Sequence, residues 1–278
     1  MTELNSFIFN CLKTFLLGII QGFTEFLPIS STAHLKVVPH FLGWNDPGTS
    51  VSAALQLGSA FAIIFYFRKD ISLLINSFFS IFNHHDFLKD ENTKLSTYIV
   101  VASIPILFFG LIIKLFWPGY SESPLRSLFS IAVVSIIMSF LLAFSEFYGE
   151  RKKLFSDIKL LDIILLGFSQ SLAIFPGVSR SGITLTSALF SGIERKTAAR
   201  LSFLVGIPAI SISGFVELVS LARSSSAVDI FPILIGIISS FYASIIAIDF
   251  FLSFLSKNNT LIFVYYRLAF GVFILSTL

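Results

Sequence analysis

The sequence predicts an all-α polytopic membrane protein built from two inverted-topology repeats, each a re-entrant helical hairpin plus three transmembrane helices. Apolar stretches of about bilayer length, two helices broken at a proline, and a one-sided placement of basic residues carry that reading. Of 278 residues, 55% are hydrophobic and 13% charged, with a mean hydropathy of +0.89. A soluble domain carries roughly 25% charged residues. The charges cluster at 68 to 94, 150 to 159 and 194 to 200, and the gaps between apolar stretches are too short for a soluble domain.

Segment 7 to 27 contains Lys13, Gln21 and Glu25, ends at Pro28, and is followed by a serine-rich turn and a short helix-like stretch, 30 to 43. It reads as the first hairpin, because broken backbone at membrane depth is tolerated only where protein or a cavity surrounds it. Segment 51 to 67 is a span closed by Arg68 and Lys69. Stretch 72 to 83 is too short to cross. With Leu73, Leu74, Phe78, Phe79 and Phe82 favouring one side, it reads as an interfacial helix, with plain loop packing as the other reading. Segments 97 to 117 and 127 to 147 are spans. Segment 160 to 174 gives only ~22 Å of helix at 1.5 Å per residue. It then meets Pro176 and Gly177 and restarts over 179 to 192, forming the second hairpin. Segments 197 to 221, 228 to 254 and 260 to 277 complete the second set of spans.

The hairpins resemble each other. Leu16-Leu17-Gly18-x-x-Gln21 matches Leu165-Leu166-Gly167-x-x-Gln170, Pro28-x-x-Ser31 matches Pro176-x-x-Ser179, and Gly58 pairs with Gly206. A hairpin returns to its starting side and three spans do not, so the second repeat enters from the opposite face. One membrane domain over 1–278 follows, with repeat one at about 7–147 and repeat two at about 160–277. This topology gathers Arg68, Lys69, Lys89, Lys94, Arg151, Lys152, Lys153, Lys159, Arg195, Lys196 and Lys257 on the cytoplasmic side, and leaves only Arg126 and Arg223 in outer loops. That obeys the positive-inside rule and places both termini outside. Full crossing by both broken segments would move Arg195, Lys196 and Lys257 outside.

The balance of 19 basic to 16 acidic residues, +3, gives no case for nucleic acid and fits basic loops facing an anionic leaflet. Cys11 is the one cysteine, so an internal disulfide and a cysteine metal cluster are excluded. Met1 to Asn5 carries no basic n-region and no small-residue cleavage site follows, so no cleaved signal peptide is expected. The 34 phenylalanines read as lipid-facing bulk.

Ionisable groups at membrane depth are costly and by default point to function. They concentrate in the stretches Gln21 to His34 and Pro176 to Thr184. Each helix restarts after its proline, with Ser30 or Ser31 and Ser179 available as N-caps. Opposed hairpins can aim both restarting N-termini, with their free N–H groups, at one central pocket suited to an anion. Arg180 adds forked donors that match phosphate oxygens. Gln21 and Glu25, four apart, can flank a divalent cation or a water; one acid suffices when phosphates supply the other oxygens. Ser31 and His34, three apart, offer a hydroxyl with an imidazole as base, or the imidazole as nucleophile. Glu25 could instead simply neutralise Arg180, and Ser30 and Ser181 read more readily as caps or packing residues. Asp162, Glu217, Asp249 and Glu146 show no partner in sequence and read as structural, and His84 and His85 beside Asp86 as solvated loop.

The two motifs QGFTEFLPISSTAH and PGVSRSGIT, with LSFLVGIPA downstream, closely resemble the undecaprenyl-diphosphate phosphatase family, the bacitracin-resistance type of membrane phosphatase, over essentially the whole chain. The resemblance implies hydrolysis of undecaprenyl diphosphate to the monophosphate and phosphate, recycling the cell-wall lipid carrier at the outer face of the bacterial cytoplasmic membrane. It implies a catalytic set of Glu25, Ser31, His34 and Arg180. Gln21, Ser30, Gly177, Ser179, Arg180, Ser181 and Thr184 would bind substrate, with Glu25 on a divalent cation, Mg²⁺ or Ca²⁺. The position of Gln21 is glutamate in some members and glutamine in others, so this chain has one motif carboxylate rather than two. Ser31 is expected to attack with His34 or Glu25 as base; His34, Thr184 or an activated water are the other candidate nucleophiles. A homodimer is compatible with this reading. The rival is a transporter or flippase of a phosphorylated polyprenyl lipid, since inverted repeats with broken helices also build carriers. A channel is disfavoured because no polar pattern runs along several spans.

Overall fold

The computed structural model describes residues 3–46, 48–80, 90–223 and 230–278. Among the described residues the α-helices are α1 (Glu3–Phe26), α2 (Ser31–Phe41), α3 (Gly48–Tyr66), α4 (Arg68–Ser80), α5 (Glu91–Phe116), α6 (Leu128–Tyr148), α7 (Leu160–Ser171), α8 (Arg180–Phe190), α9 (Arg195–Arg223), α10 (Ile230–Leu255) and α11 (Leu261–Ser276). A 3-10 turn, Leu172–Ile174, prolongs α7. Five of the described helices are long and apolar enough to cross a membrane: α1, α5, α6, the Arg195–Val216 part of α9, and α10. The α3–α4 pair, bent by 79°, makes a sixth if taken as one broken span. The molecule is a multi-pass membrane protein.

Two boundaries differ most from those read in the sequence. At 24 residues α1 is long enough to cross unaided, because the polar first turn from Glu3 extends it beyond the apolar run. Helix α5 starts at Glu91 rather than near 97, since the Asp90 carboxylate caps it by accepting from Thr93 N at 2.8 Å and Thr93 Oγ1 at 2.6 Å. The stretch read as interfacial or loop is helical as α4 up to Ser80; residues 81–83, like His84, His85, Asp86 and the side chain of Glu217, lie outside the described residues.

Small residues set how the helices meet. On α1, Gly18 and Gly22 lie so close to Gly236, Ser240 and Ser244 of α10 that an added Cβ would collide with α10 backbone. That is the close approach by which helices associate in lipid, where apolar burial against apolar tails gains little. Helix α3 also lies against α10, and Ser59, Ser240 and Ser244 join across that contact in a hydroxyl chain of 3.2 and 2.9 Å. Phe7 stacks on Phe231, while Tyr66 Oη donates to Asp249 at 3.0 Å. Helices α1, α3 and α10 therefore run in one direction. Lys13 Nζ donates to Asn45 O at 2.9 Å and Phe9 meets Trp44 edge-on, so α2 carries the chain back beside the first half of α1. At the second break, Gly167 and Gln170 of α7 lie on Ala102 of α5, and α8 returns along α6, with Phe190 against Phe144 and Leu189 against Gly149.

Phe26, Phe203 and Phe251 interlock at the centre of the core, with Phe26 and Phe203 edge-to-face at 5.2 Å. Exposed Phe108, Phe144 and Phe215 make up an apolar outer surface suited to lipid. At one end the charges cross-link the helices. Glu146, 2% exposed, accepts from Arg151 at 2.7 Å, from Arg195, and from the backbone and hydroxyl of Thr260 at 3.1 and 2.6 Å. Arg200 pairs with Asp70, and Lys153 with Asp162 at 3.2 Å. Glu146, Asp162 and Asp249 thus have the structural partners that the sequence left unnamed.

Candidate active site

Both helix breaks end in the same unusual turn. Ser30 and Ser179 are N-caps with φ of 74° and 70°, a left-handed conformation that L-residues seldom adopt. Each hydroxyl accepts from the backbone N–H three residues on, Ala33 at 3.4 Å and Gly182 at 3.1 Å. Each also lies 3.2 Å from the hydroxyl two residues on, Thr32 and Ser181. The caps therefore match in the register of Gly18 and Gly167, one residue off the Pro-x-x-Ser match. The structural counterpart of Ser179 is Ser30, and Ser31 is freed from capping.

Ser31 turns back to α1, where its hydroxyl donates to Glu25 Oε2 at 2.7 Å. Gln21 Nε2, one helical turn before Glu25, donates to the same oxygen at 2.9 Å. Arg180, first residue of α8, reaches across from the other break: Nη2 donates to Glu25 Oε1 at 3.4 Å and Nη1 to Ser202 O at 3.1 Å. Gly206 gives that guanidinium its room, since a Cβ there would overlap Arg180 Nη1 and Cζ. Glu25, Ser31 and the Arg180 side chain keep only 5–8% exposure. In such a dry setting charge–charge and charge–dipole interactions are far stronger than in water.

Two polar atoms of the cluster are buried without partners, Arg180 Nε and Gln21 Oε1. Buried polar groups are normally satisfied, so these are spare capacity for a donor-seeking anion and for a cation or water, respectively. No group of three or more His, Cys, Asp or Glu side chains gathers for a metal among the described residues. A divalent cation fits only as a shared site, with Glu25 and the Gln21 carbonyl oxygen on the protein side and phosphate oxygens completing the shell.

The remaining expected residues are placed differently. His34 does not bond Ser31. Its Nδ1 lies 2.7 Å from Ser30 O, which can only accept, so Nδ1 carries the proton and Nε2 accepts from Tyr266 Oη at 2.6 Å. The ring is stacked against Phe270 at 4.4 Å. The pull of Ser30 O and of α11 turns the imidazole away from the hydroxyl that Glu25 holds. Thr184, fully buried, donates to Arg180 O at 2.8 Å and meets the Ser202 hydroxyl, behind Arg180. Ser181 donates to Leu27 O at 3.1 Å and joins the two breaks. Gly177, with φ of 94°, offers its carbonyl to Arg267.

Sequence reasoning missed Ser202, Tyr266 and Arg267. For Arg267 a signal existed, an arginine inside the apolar segment 260 to 277, which at membrane depth marks a site worth inspecting. A cavity of about 190 Å³ opens at the charged end, bordered by Asp70, Lys94, Tyr98 and Arg200. Arg200 is already paired with Asp70 there, and none of the cluster residues lines that cavity.

Comparison with known proteins agrees with these motifs. The family model described as bacitracin resistance protein BacA matches residues 14–273. An undecaprenyl-diphosphatase of Prochlorococcus marinus (strain NATL1A) is 73% identical over 276 residues, covering 99% of both chains. Another, from Prochlorococcus marinus (strain MIT 9313), is 49% identical over 96% of this chain and 89% of its own. One from Synechococcus sp. (strain CC9902) is 51% identical over 94% of this chain and 92% of its own.

Proposed function

This chain belongs to the bacitracin resistance family BacA, and from that membership we infer that it is an undecaprenyl-diphosphatase whose reaction takes place at the Glu25–Ser31–Arg180 cluster. It hydrolyses undecaprenyl diphosphate to undecaprenyl phosphate and phosphate, returning the lipid carrier to cell-wall synthesis and conferring bacitracin resistance. The observation that carries the assignment of the site is the convergence of the two helix breaks on one carboxylate, with Ser31 at 2.7 Å and Arg180 at 3.4 Å from its two oxygens.

In the proposed reaction the diphosphate lies against Arg180 and the first turns of α2 and α8. Ser31 Oγ forms a bond to the terminal phosphorus as the bridging P–O bond breaks and undecaprenyl phosphate leaves. The Ser31 proton passes to Glu25, whose oxygen already accepts it. Water then attacks the phosphoserine, the P–Oγ bond breaks, Glu25 returns the proton to Ser31, and phosphate departs with the protons of the water. Arg180 stabilises the charge that grows on the equatorial oxygens, the main protein contribution in phosphoryl transfer. Gln21 orients Glu25, and the two would hold a divalent cation, Mg²⁺ or Ca²⁺, which would neutralise phosphate charge when bound. His34, fixed by Ser30 O and Tyr266, holds the start of α2.

The proposed topology is two inverted repeats with six crossings, the breaks entering from opposite faces of the cytoplasmic membrane and the cluster opening outward. The return of α2 along α1 and of α8 along α6 supports it, as does the gathering of Arg151, Lys153, Arg195 and Arg200 at one end.

The test is phosphate release from undecaprenyl diphosphate by purified protein in detergent. Arg180→Ala should insert and fold normally yet lose about 100-fold or more in kcat, the usual cost of removing one such donor. A chelator should abolish release by the unaltered protein, with Mg²⁺ or Ca²⁺ restoring it. Near-normal turnover by Arg180→Ala would remove the phosphate clamp, and turnover unmoved by chelation would remove the cation.

A further inference from the structure

The turns that break the two helices carry backbone carbonyls without helical partners, which water cannot satisfy at membrane depth. One side chain donates to three of them. Arg267 of α11 is 1% exposed and donates from Nη1 to Pro28 O and Val178 O, both at 3.1 Å, from Nη2 to Gly177 O at 2.6 Å, and from Nε to Ser135 O at 3.3 Å. All these acceptors are backbone carbonyls, none a carboxylate. They belong to three separate parts of the fold: the first break, the second break and α6.

Pro28 lies two residues before the cap Ser30, and Val178 directly before the cap Ser179. Ser31 and Arg180 are the next residues after those caps. The rigid fork that bridges Pro28 O to Val178 O and Gly177 O thus sets the spacing between the hydroxyl half of the site and its cationic half. We propose that Arg267 is a positioning residue of the phosphatase reaction, a clamp that holds the two breaks in the register at which Arg180 and the Glu25–Ser31 pair act on one phosphate. This rests on the site assignment above. Arg267 itself is too deeply buried to touch substrate.

Lysine keeps the charge but has no planar fork, so Arg267→Lys loosens the spacing without leaving the carbonyls bare. Purified full-length Arg267→Lys, compared with the parent in phosphate release from undecaprenyl diphosphate, should show kcat about 100-fold lower, as for a displacement of about 1 Å at a reacting centre, while KM moves far less. Arg180→Ala should then cost much less in the Arg267→Lys background than in the parent, because the two act on one geometry. A purely structural arginine would lower thermal stability and leave both kcat and the Arg180→Ala penalty at parental values, and that result overturns the proposal. If Arg180→Ala is itself harmless in the parent, the site assignment fails. If it is severe while Arg267→Lys turns over normally, only the clamp fails. Should Arg267→Lys not fold, Gly182→Ala takes its place, since its methyl would press within 3.2 Å of Arg267 Nη1 and 3.1 Å of Ser179. It should lower kcat with KM held, and parental kcat there also overturns the proposal.

Discussion

Arg180 can reach Glu25 because residue 206 has no side chain. The matching of Gly58 with Gly206 marked the position in the sequence, but the reason lies in space: the guanidinium fills the volume a Cβ would take. Gly206→Ala should therefore displace Arg180 and lower kcat about 100-fold, with an overpacking cost of about 1–3 kcal/mol. Gly110→Ala, where an added Cβ meets nothing within 4 Å, is the control and should leave kcat and thermal stability unchanged. Phosphate release and thermal unfolding in detergent measure both. Glu25, Ser31 and Arg180 were legible in the sequence because polar groups in an apolar chain are conspicuous. Arg267 was as conspicuous, an arginine in an apolar segment, but its role was not legible, because its partners are carbonyls that every residue carries. Nor was the turning of His34 toward Tyr266, which depends on α11 packing beside α2 across a separation of 232 residues.

The helix breaks are the elements from which the site is made, and their existence was readable from Pro28, Pro176 and the serines that follow. Their register was not. The Pro-x-x-Ser match pairs Ser31 with Ser179, whereas the caps pair Ser30 with Ser179, because a cap is chosen by which hydroxyl can reach the N–H three residues on. That single step decides which serine is occupied and which faces the carboxylate. At the charged end, Glu146 ties α6, α9 and the start of α11. Glu146→Ala would leave Arg151, Arg195 and the Thr260 N–H without this acceptor; the arginine side chains are 25% and 29% exposed and can turn to water, so the cost is about 1–3 kcal/mol. Thermal unfolding should fall accordingly, while kcat of the protein that remains folded stays close to the parent, since this end is remote from the cluster. A large kcat loss at unchanged stability would contradict that division of labour.

Over the whole molecule, the apolar runs and the one-sided basic loops gave the all-helical membrane class and the approximate helices, while the extra length of α1 escaped because its first turn is polar. In a Cys11→Ser background, Asn45→Cys and Ser276→Cys should react with a membrane-impermeant maleimide in intact cells, whereas Arg151→Cys and Lys257→Cys should react only after permeabilisation. Labelling of Lys257→Cys in intact cells would contradict six crossings. The two helix breaks converge on one carboxylate, which accepts from Gln21, Ser31 and Arg180 at once. Phosphate release from undecaprenyl diphosphate by purified Glu25→Gln, which keeps the shape and removes the charge, tests this most directly. The account predicts kcat lower by about 100- to 10,000-fold, the range for loss of a catalytic base, in a protein that still inserts and runs as a single species in detergent. Turnover within a few-fold of the parent would contradict it.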